Sequence, residues 1–328
     1  MTTGPLTELL SRRPALVLDG ALGTELHRRG VGTGLPLWSA QGLLTHPEIV
    51  LQIHREYVAA GADILTADTF RTTPRTFSRA GLSGSPLEAE SPGHASHPGT
   101  GAEGRRPAGT LPTDRSDSLT TLAIALARKA ADEATGRRVL VAGSIAPLED
   151  CYRPDLVPSD TELREEHALQ AARLARAGVD FILLETMGVI REAVIALAAA
   201  RETGNEVVVS FICNEEGTLF GGERLTDAVH AVAGLEPALL SLNCIPVRHA
   251  DAAISALKAA WSGPWAIYAN AGRPEDLDSG VITTAVSPGE YAAHAKRWLE
   301  AGARVVGGCC GTTPEHIASV RALVPVQR

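Results

Sequence analysis

Ala60-Gly61-Ala62-Asp63-Ile64-Leu65-Thr66-Ala67-Asp68 ends one helical stretch and begins one strand, and the same join recurs twice. Ala177-Gly178-Val179-Asp180 leads into Phe181-Ile182-Leu183-Leu184-Glu185-Thr186, and Ala301-Gly302-Ala303-Arg304 leads into Val305-Val306. Each glycine reads as a helix C-cap, because the chain must turn left-handed there before extending into a strand. A helix–glycine–strand join that repeats is the pattern of a βα unit. Outward from these three joins, further apolar runs fall at 15–18, 139–144, 206–213, 238–244 and 265–270, with Ala-, Leu- and Arg-rich helical stretches between them. Eight short apolar strands alternating with helices predict a parallel sheet buried on both faces. A length of 328 residues then fits one (β/α)8 TIM barrel as a single domain over 1–328, with an open doubly wound sheet as the alternative.

One stretch breaks the pattern. Residues 81–117 are rich in Gly, Pro and Ser and poor in large apolar side chains, and they read as a long loop inserted after the second strand. His94 and His97 lie within it and read as solvated rather than as ligands. Helix is expected to resume near Ser118.

Composition narrows the functional classes. Hydrophobic residues make up 45% of the chain and charged residues 21%, enough to build a large core. The formal net charge of −8, without a basic cluster, argues against nucleic acid or an anionic membrane as partner, and leaves small molecules. No apolar run reaches the ~20 residues of a membrane span, and the amino terminus has no signal-peptide pattern. Five cysteines without framework spacing read as reduced thiols or metal ligands, so a cytoplasmic protein is expected.

A barrel of this kind carries its chemistry at the carboxyl ends of the strands. Asp19, Ser144, Glu185, Cys244, Asn270, Cys309 and Cys310 all fall there. Gly307-Gly308-Cys309-Cys310-Gly311 places two adjacent thiols in a turn whose glycines permit the bend that turns both toward one ligand. Cys244, at the end of Leu239-Leu240-Ser241-Leu242-Asn243-Cys244, supplies a third. Three thiolates leave a tetrahedral ion one open position, the arrangement of a catalytic site rather than a structural one. The competing reading makes Cys244 a buried core thiol. Cys151, in the loop after the third strand, and Cys213, at the end of the fifth, read as non-ligands. Asp19 runs directly into Gly20-Ala21-Leu22-Gly23, so it reads either as a site carboxylate or as a turn and helix cap.

Together, Leu18-Asp19-Gly20-Ala21-Leu22-Gly23-Thr24, Leu37-Trp38-Ser39, Gly143-Ser144, Glu185-Thr186, Asn243-Cys244 and Gly307-Gly308-Cys309-Cys310-Gly311-Thr312-Thr313-Pro314 resemble the zinc-dependent homocysteine S-methyltransferase family. The resemblance covers nearly the whole chain. It implies a Zn2+ cofactor on Cys244, Cys309 and Cys310, and substrate contacts from Asp19, Gly20, Trp38, Ser144, Glu185, Thr186 and Asn270. Asp19 and Glu185 match the acidic residues near the amino acid's ammonium group, and Trp38 matches an aromatic position near the methyl donor. Thr186 stands where betaine-using members carry tyrosine, so the resemblance leans toward the S-methylmethionine-using members. The implied reaction moves a methyl group from S-methylmethionine or S-adenosylmethionine to the zinc-held thiolate of homocysteine, giving methionine. A different thiol or selenol acceptor, or a non-catalytic zinc or thiol sensor on the same barrel, are the alternatives.

Overall fold

The computed structural model describes residues 4–82, 115–272 and 286–325, together with the backbone of 274–276 and 281–282. Eight strands form one sheet: β1 (Leu16–Val17), β2 (Ile64–Ala67), β3 (Leu140–Ile145), β4 (Phe181–Met187), β5 (Val207–Phe211), β6 (Leu239–Pro246), β7 (Trp265–Asn270) and β8 (Val305–Gly308). All pairings are parallel, and the order runs β1-β8-β7-β6-β5-β4-β3-β2. A parallel bridge between Leu18 and Ile64 joins the two ends of that order. At this seam the Asp63 N–H donates to the Val17 carbonyl at 2.7 Å and the Asp19 N–H to the Ile64 carbonyl at 3.0 Å. The sheet is therefore a closed barrel, as the strand count predicts.

The repeated joins work as read. Gly61, Gly178 and Gly302 have φ of 100°, 80° and 99°. The residue after each glycine donates back to the last helical turn: Ala62 to Tyr57, Val179 to Leu174 and Ala303 to Trp298. These bonds satisfy carbonyls that a helix end would otherwise leave open. The acidic residue closing the first two joins has a second use. Asp63 accepts the Val17 N–H at 2.9 Å and Asp180 the Val141 N–H at 2.7 Å, so each ties its strand to the neighbour at the amino-terminal rim. Arg304 occupies that place in the third join and instead donates to the carbonyls of Leu10, Arg13 and Pro14.

Two apolar layers follow from the alternation of strand side chains. Leu16, Leu18, Leu140, Phe181, Leu183 and Tyr268 are among those filling the barrel, and Leu6 and Leu10 of the helix Pro5–Arg12 plug its amino-terminal end. That helix is held from its first turn, where the Leu6 and Thr7 N–H groups donate to Glu206 at 2.8 and 3.0 Å. With its lower end plugged, the barrel is open to ligands at the carboxyl-terminal mouth. Outside, the buried faces of the helices pack on the strands in a second, larger cluster. Among the described residues no helix is long and apolar enough to cross a membrane.

The segment after β2 ends earlier than expected, because helix begins at Arg115 rather than Ser118. Ser116 is buried, and Asp117 pairs with Arg173 and Arg176 of the helix Asp160–Arg176, so these residues are anchored. Residues 83–114, with His94 and His97, lie outside the described residues. Asp63 is 1% exposed and carries Arg13 at 2.6 Å, Arg321 at 2.9 Å and Arg137 at 3.7 Å. Asp63→Ala would leave three guanidinium groups without their shared carboxylate, and a loss of about 3–5 kcal/mol is expected in urea unfolding.

Candidate metal centre and substrate cavity

Glycines set the path of the chain at the end of β8. A Cβ at Gly307 would stand 2.6 Å from Leu18 Cβ and 3.0 Å from the Asp19 carbonyl oxygen, and one at Gly308 2.3 Å from Thr312 Oγ1. Only glycine lets β8 press this closely on β1 and on its own turn. The turn is then fastened: the Gly308 N–H donates to Asp19 O at 3.0 Å, the Cys309 N–H to Ala269 O at 2.8 Å, and the Thr312 hydroxyl to Cys309 O at 2.8 Å. With Gly311 left-handed at φ 82°, both thiols turn toward the barrel mouth.

Cys244 reaches them by a different device. The β6–β7 register shifts between Asn243 and Pro246, and Cys244 sits at φ 52°, a conformation unfavourable for any residue with a Cβ. Asn270 Nδ2 donates to its carbonyl at 2.9 Å and holds it there. The same happens on β4, where the register shifts between Leu184 and Met187 and Thr186 takes φ 58°. The Thr186 N–H donates at 3.0 Å to Asn243 Oδ1, which also accepts the Ser210 hydroxyl at 2.7 Å. Trp38 is a third residue of this kind, at φ 48°. Among the described residues, three of the four non-glycine residues with positive φ thus border one cavity, where such strain is most often retained for function.

The sulfurs of Cys244, Cys309 and Cys310 lie within 4.8 Å of one another, and those of Cys244 and Cys309 are 2.7 Å apart. All three thiols are free. Hydrogen bonds from Cys244 and Cys309 hold Cys310 well below the usual thiol range. Cys244 is pushed up, first by its bond with Cys309 and then by that with Cys310, and Cys309, against its bond with Cys244, is pushed up by its bond with Cys310 and by burial. One thiolate is thus stabilised by its neighbours, and ionising all three calls for a cation between them. An all-thiolate donor set fits a soft or borderline divalent ion such as zinc, whose bonds to sulfur are about 2.3 Å. Cys151 lines the same cavity but is not one of the three converging thiols, and burial pushes it up to about 12. Cys213 is buried in the core and also pushed up to about 12.

Two carboxyl groups share the cavity. Asp19 accepts the Thr66 N–H at 2.8 Å and its hydroxyl at 3.0 Å. Burial, with Glu185 adding repulsion, nonetheless pushes it up to about 8. Glu185 is raised to about 7 by burial, against the opposing hydrogen bonds of Ser144 and of the Tyr268 hydroxyl at 3.4 Å. Both are poised to ionise when a cationic group arrives.

Of the residues expected from the sequence, Asp19, Gly20, Trp38, Glu185, Thr186 and the three cysteines line this one cavity. Ser144 and Asn270 stand behind it, the first on Glu185 and the second on the Cys244 carbonyl. Trp38 lies against Gly23, where a Cβ would come within 2.6 Å of its Nε1. Sequence reading passed over Thr66, Asp68, Arg71, Tyr152 and Tyr268, which also line the cavity. Asp68 had the strand-end signal that selected the others; Tyr152 comes from a loop and had none.

A closed barrel with three converging thiols at its mouth has the architecture of a barrel enzyme whose site could hold a metal ion. The family model described as homocysteine S-methyltransferase matches residues 16–324. The homocysteine S-methyltransferase YbgG of Bacillus subtilis is 31% identical over 97% of this chain and 97% of its own length. A selenocysteine Se-methyltransferase of Brassica oleracea is 27% identical over 93% of this chain and 87% of its own. The crystal structure of the metallated homocysteine methyltransferase MmuM from Escherichia coli superposes with a TM-score of 0.76 at 29% identity, covering 97% and 99% of the two chains. The chain belongs to the homocysteine S-methyltransferase family.

Cys309→Ala leaves two thiols of the three. Competition with a chromophoric chelator is expected to show zinc affinity reduced on the order of 100-fold or more relative to the unsubstituted protein.

Proposed function

We propose that this enzyme moves a methyl group from a sulfonium donor, S-methylmethionine or S-adenosylmethionine, to the sulfur of homocysteine, giving methionine, with zinc on Cys244, Cys309 and Cys310. The observation that carries the reading is the convergence of three thiols within 4.8 Å in a cavity that also holds two buried carboxyls and Trp38. Homologues named for homocysteine and a metallated structural neighbour support it. Zinc bound there would take the place of the thiol proton and keep the acceptor sulfur anionic at neutral pH.

The chain's own groups do the rest. Asp19 and Glu185 receive the ammonium group of homocysteine, Thr66 fixing the first and Ser144 and Tyr268 the second. Gly20 brings the main chain to the cavity wall beside them, within reach of the substrate carboxylate. Trp38 offers an aromatic face to the sulfonium. Thr186 turns its hydroxyl to the Glu185 carbonyl at 2.6 Å, so no second aromatic ring encloses the donor at that position. Attack of the acceptor sulfur on the methyl carbon breaks its bond to the donor sulfur, which leaves as a neutral thioether. Charge is neutralised in that step, so a site that excludes water favours it. No side chain need remove a proton at the transition state. A selenol acceptor suits the same geometry, and one relative is named for selenocysteine.

Bound metal and methionine formation from homocysteine, measured with S-methylmethionine, S-adenosylmethionine and betaine, test the reading. About one zinc per chain is expected, with turnover on a sulfonium that disappears in Cys309→Ala. Turnover with betaine alone would overturn the donor assignment, and turnover on selenocysteine but not homocysteine would overturn the acceptor. Methionine, which has the amino-acid head but no thiol, reports on the cavity's carboxyl groups without the thiol chemistry. Glu185 near 7 and Asp19 near 8 are protonated as pH falls, and a protonated carboxyl attracts an ammonium group less. Calorimetric affinity for methionine is therefore expected to fall about tenfold between pH 8 and pH 6.

A further inference from the structure

Two buried charged side chains line the cavity, beside the partly exposed Asp150, and take no part in the chemistry above: Asp68, just past β2, and Arg71 in the turn that follows. They are 3% and 7% exposed. Asp68 is hydrogen-bonded by Ser39, yet its Oδ2 has no partner. Arg71 gives Nη1 to the carbonyls of Pro147 and Glu149 at 3.2 and 3.1 Å and Nη2 to Glu149 at 3.1 Å, yet its Nε has none. Its guanidinium lies 5.0 Å from the centre of the Phe70 ring. Neither charge belongs to an ion pair among the described residues. The acids near Arg71 form no ion pair with it: Glu149 is held by Arg75 and Arg79, Glu192 by His167 and the Leu148 N–H, and Asp150, which accepts the Tyr152 N–H at 2.9 Å, acts on Arg71 through space. Burying a charge without a counter-charge is costly, and here it occurs twice, with opposite signs, on one cavity.

Asp68 also stands apart from the first acidic pair. Glu185 adds to the upward push on Asp19, whereas Asp68 is pushed up to about 7 by burial alone. Ser39, which anchors it, directly follows Trp38, so Asp68 belongs to the aromatic side of the cavity rather than to the thiols. A ligand that satisfies both orphans carries an ammonium and a carboxylate together.

We propose that Asp68 and Arg71 are a second amino-acid-recognition set, Asp68 receiving the α-ammonium and Arg71 the α-carboxylate of the methyl donor. The donor is then an α-amino acid bearing a sulfonium. This rests on the sulfonium reading above and adds to it the group by which the donor is selected. 4-(Dimethylsulfonio)butanoate keeps the sulfonium and the carboxylate at the same spacing but lacks the ammonium, so it separates the two contacts.

With homocysteine saturating, kcat/KM for S-methyl-L-methionine is expected to exceed that for 4-(dimethylsulfonio)butanoate on the order of 100-fold. In Asp68→Asn that advantage shrinks to about threefold or less, while KM for homocysteine stays within about twofold. Arg71→Lys keeps the charge but loses the planar fork, and lowers kcat/KM for both donors about tenfold, since both carry the carboxylate. An Asp68→Asn enzyme that loses both donors equally, or that keeps the full preference, overturns the assignment. Wild-type protein that turns over betaine but neither sulfonium overturns the donor reading itself. Calorimetry of S-methyl-L-methionine on zinc-loaded wild type and Asp68→Asn gives the same comparison without turnover; equal affinities overturn the assignment.

Discussion

Closure of the sheet between Leu18 and Ile64 is the constraint on which the site depends. The first and second strands are parallel and separated by two short helices and a longer one, a crossover that lets them lie side by side, and their bridge closes the barrel. That contact places Asp19 where the Thr66 N–H and hydroxyl can bind its carboxylate. On the other side of β1, the close approach of Gly307 and Gly308 brings the Cys309–Cys310 turn to the same mouth. Opening the seam would separate the Asp19 carboxyl from the Thr66 N–H and hydroxyl that bind it.

The mouth is assembled from conformations that local propensity does not favour. Trp38, Thr186 and Cys244 all hold left-handed backbone, and two of the three follow a register shift that turns a strand end inward. Each costs of order 1 kcal/mol or more, and each is fixed by a specific bond or contact: Asn243 on Thr186, Asn270 on Cys244, the bare surface of Gly23 beneath Trp38. The rest of the barrel, with an apolar interior and interlocked helix ends, supplies the rigidity that keeps them there. Stability and function are thus separated along the strands. Ion pairs such as those of Asp63 fasten the amino-terminal rim, and strained, poorly solvated groups occupy the other.

Electrostatically, the cavity is a set of incomplete pairs. Two carboxyls are raised toward neutrality, three thiols share their protons, and a buried carboxyl and a buried guanidinium form no ion pair among the described residues. Such an arrangement is unfavourable without ligands and becomes favourable as cation, ammonium and carboxylate groups complete it. The same low polarity that raises these groups also strengthens their interactions with charged substrates. A cation between the thiols and two amino-acid heads beside them would satisfy the charges that the folded chain leaves open.

The sequence by itself determined the barrel and the strand-end residues that meet at its mouth. Apolar strands at regular intervals, glycine-ended helices and polar residues at strand ends depend on local patterning, which a linear chain displays directly. Cys244, Cys309, Cys310, Asp19 and Glu185 were legible because each ends such a strand. The end of the segment after β2 was misjudged, since Ser116 and Asp117 are ordered by contacts to the distant helix Asp160–Arg176. Only the tertiary structure decided that Ser144 and Asn270 support the lining from behind, that Tyr152 and Tyr268 join it, and that Asp68 and Arg71 are buried without counter-charges. The reason is physical: whether a polar side chain meets solvent, a partner or an empty cavity is set by which segments closure brings together, and that information is not local in the chain.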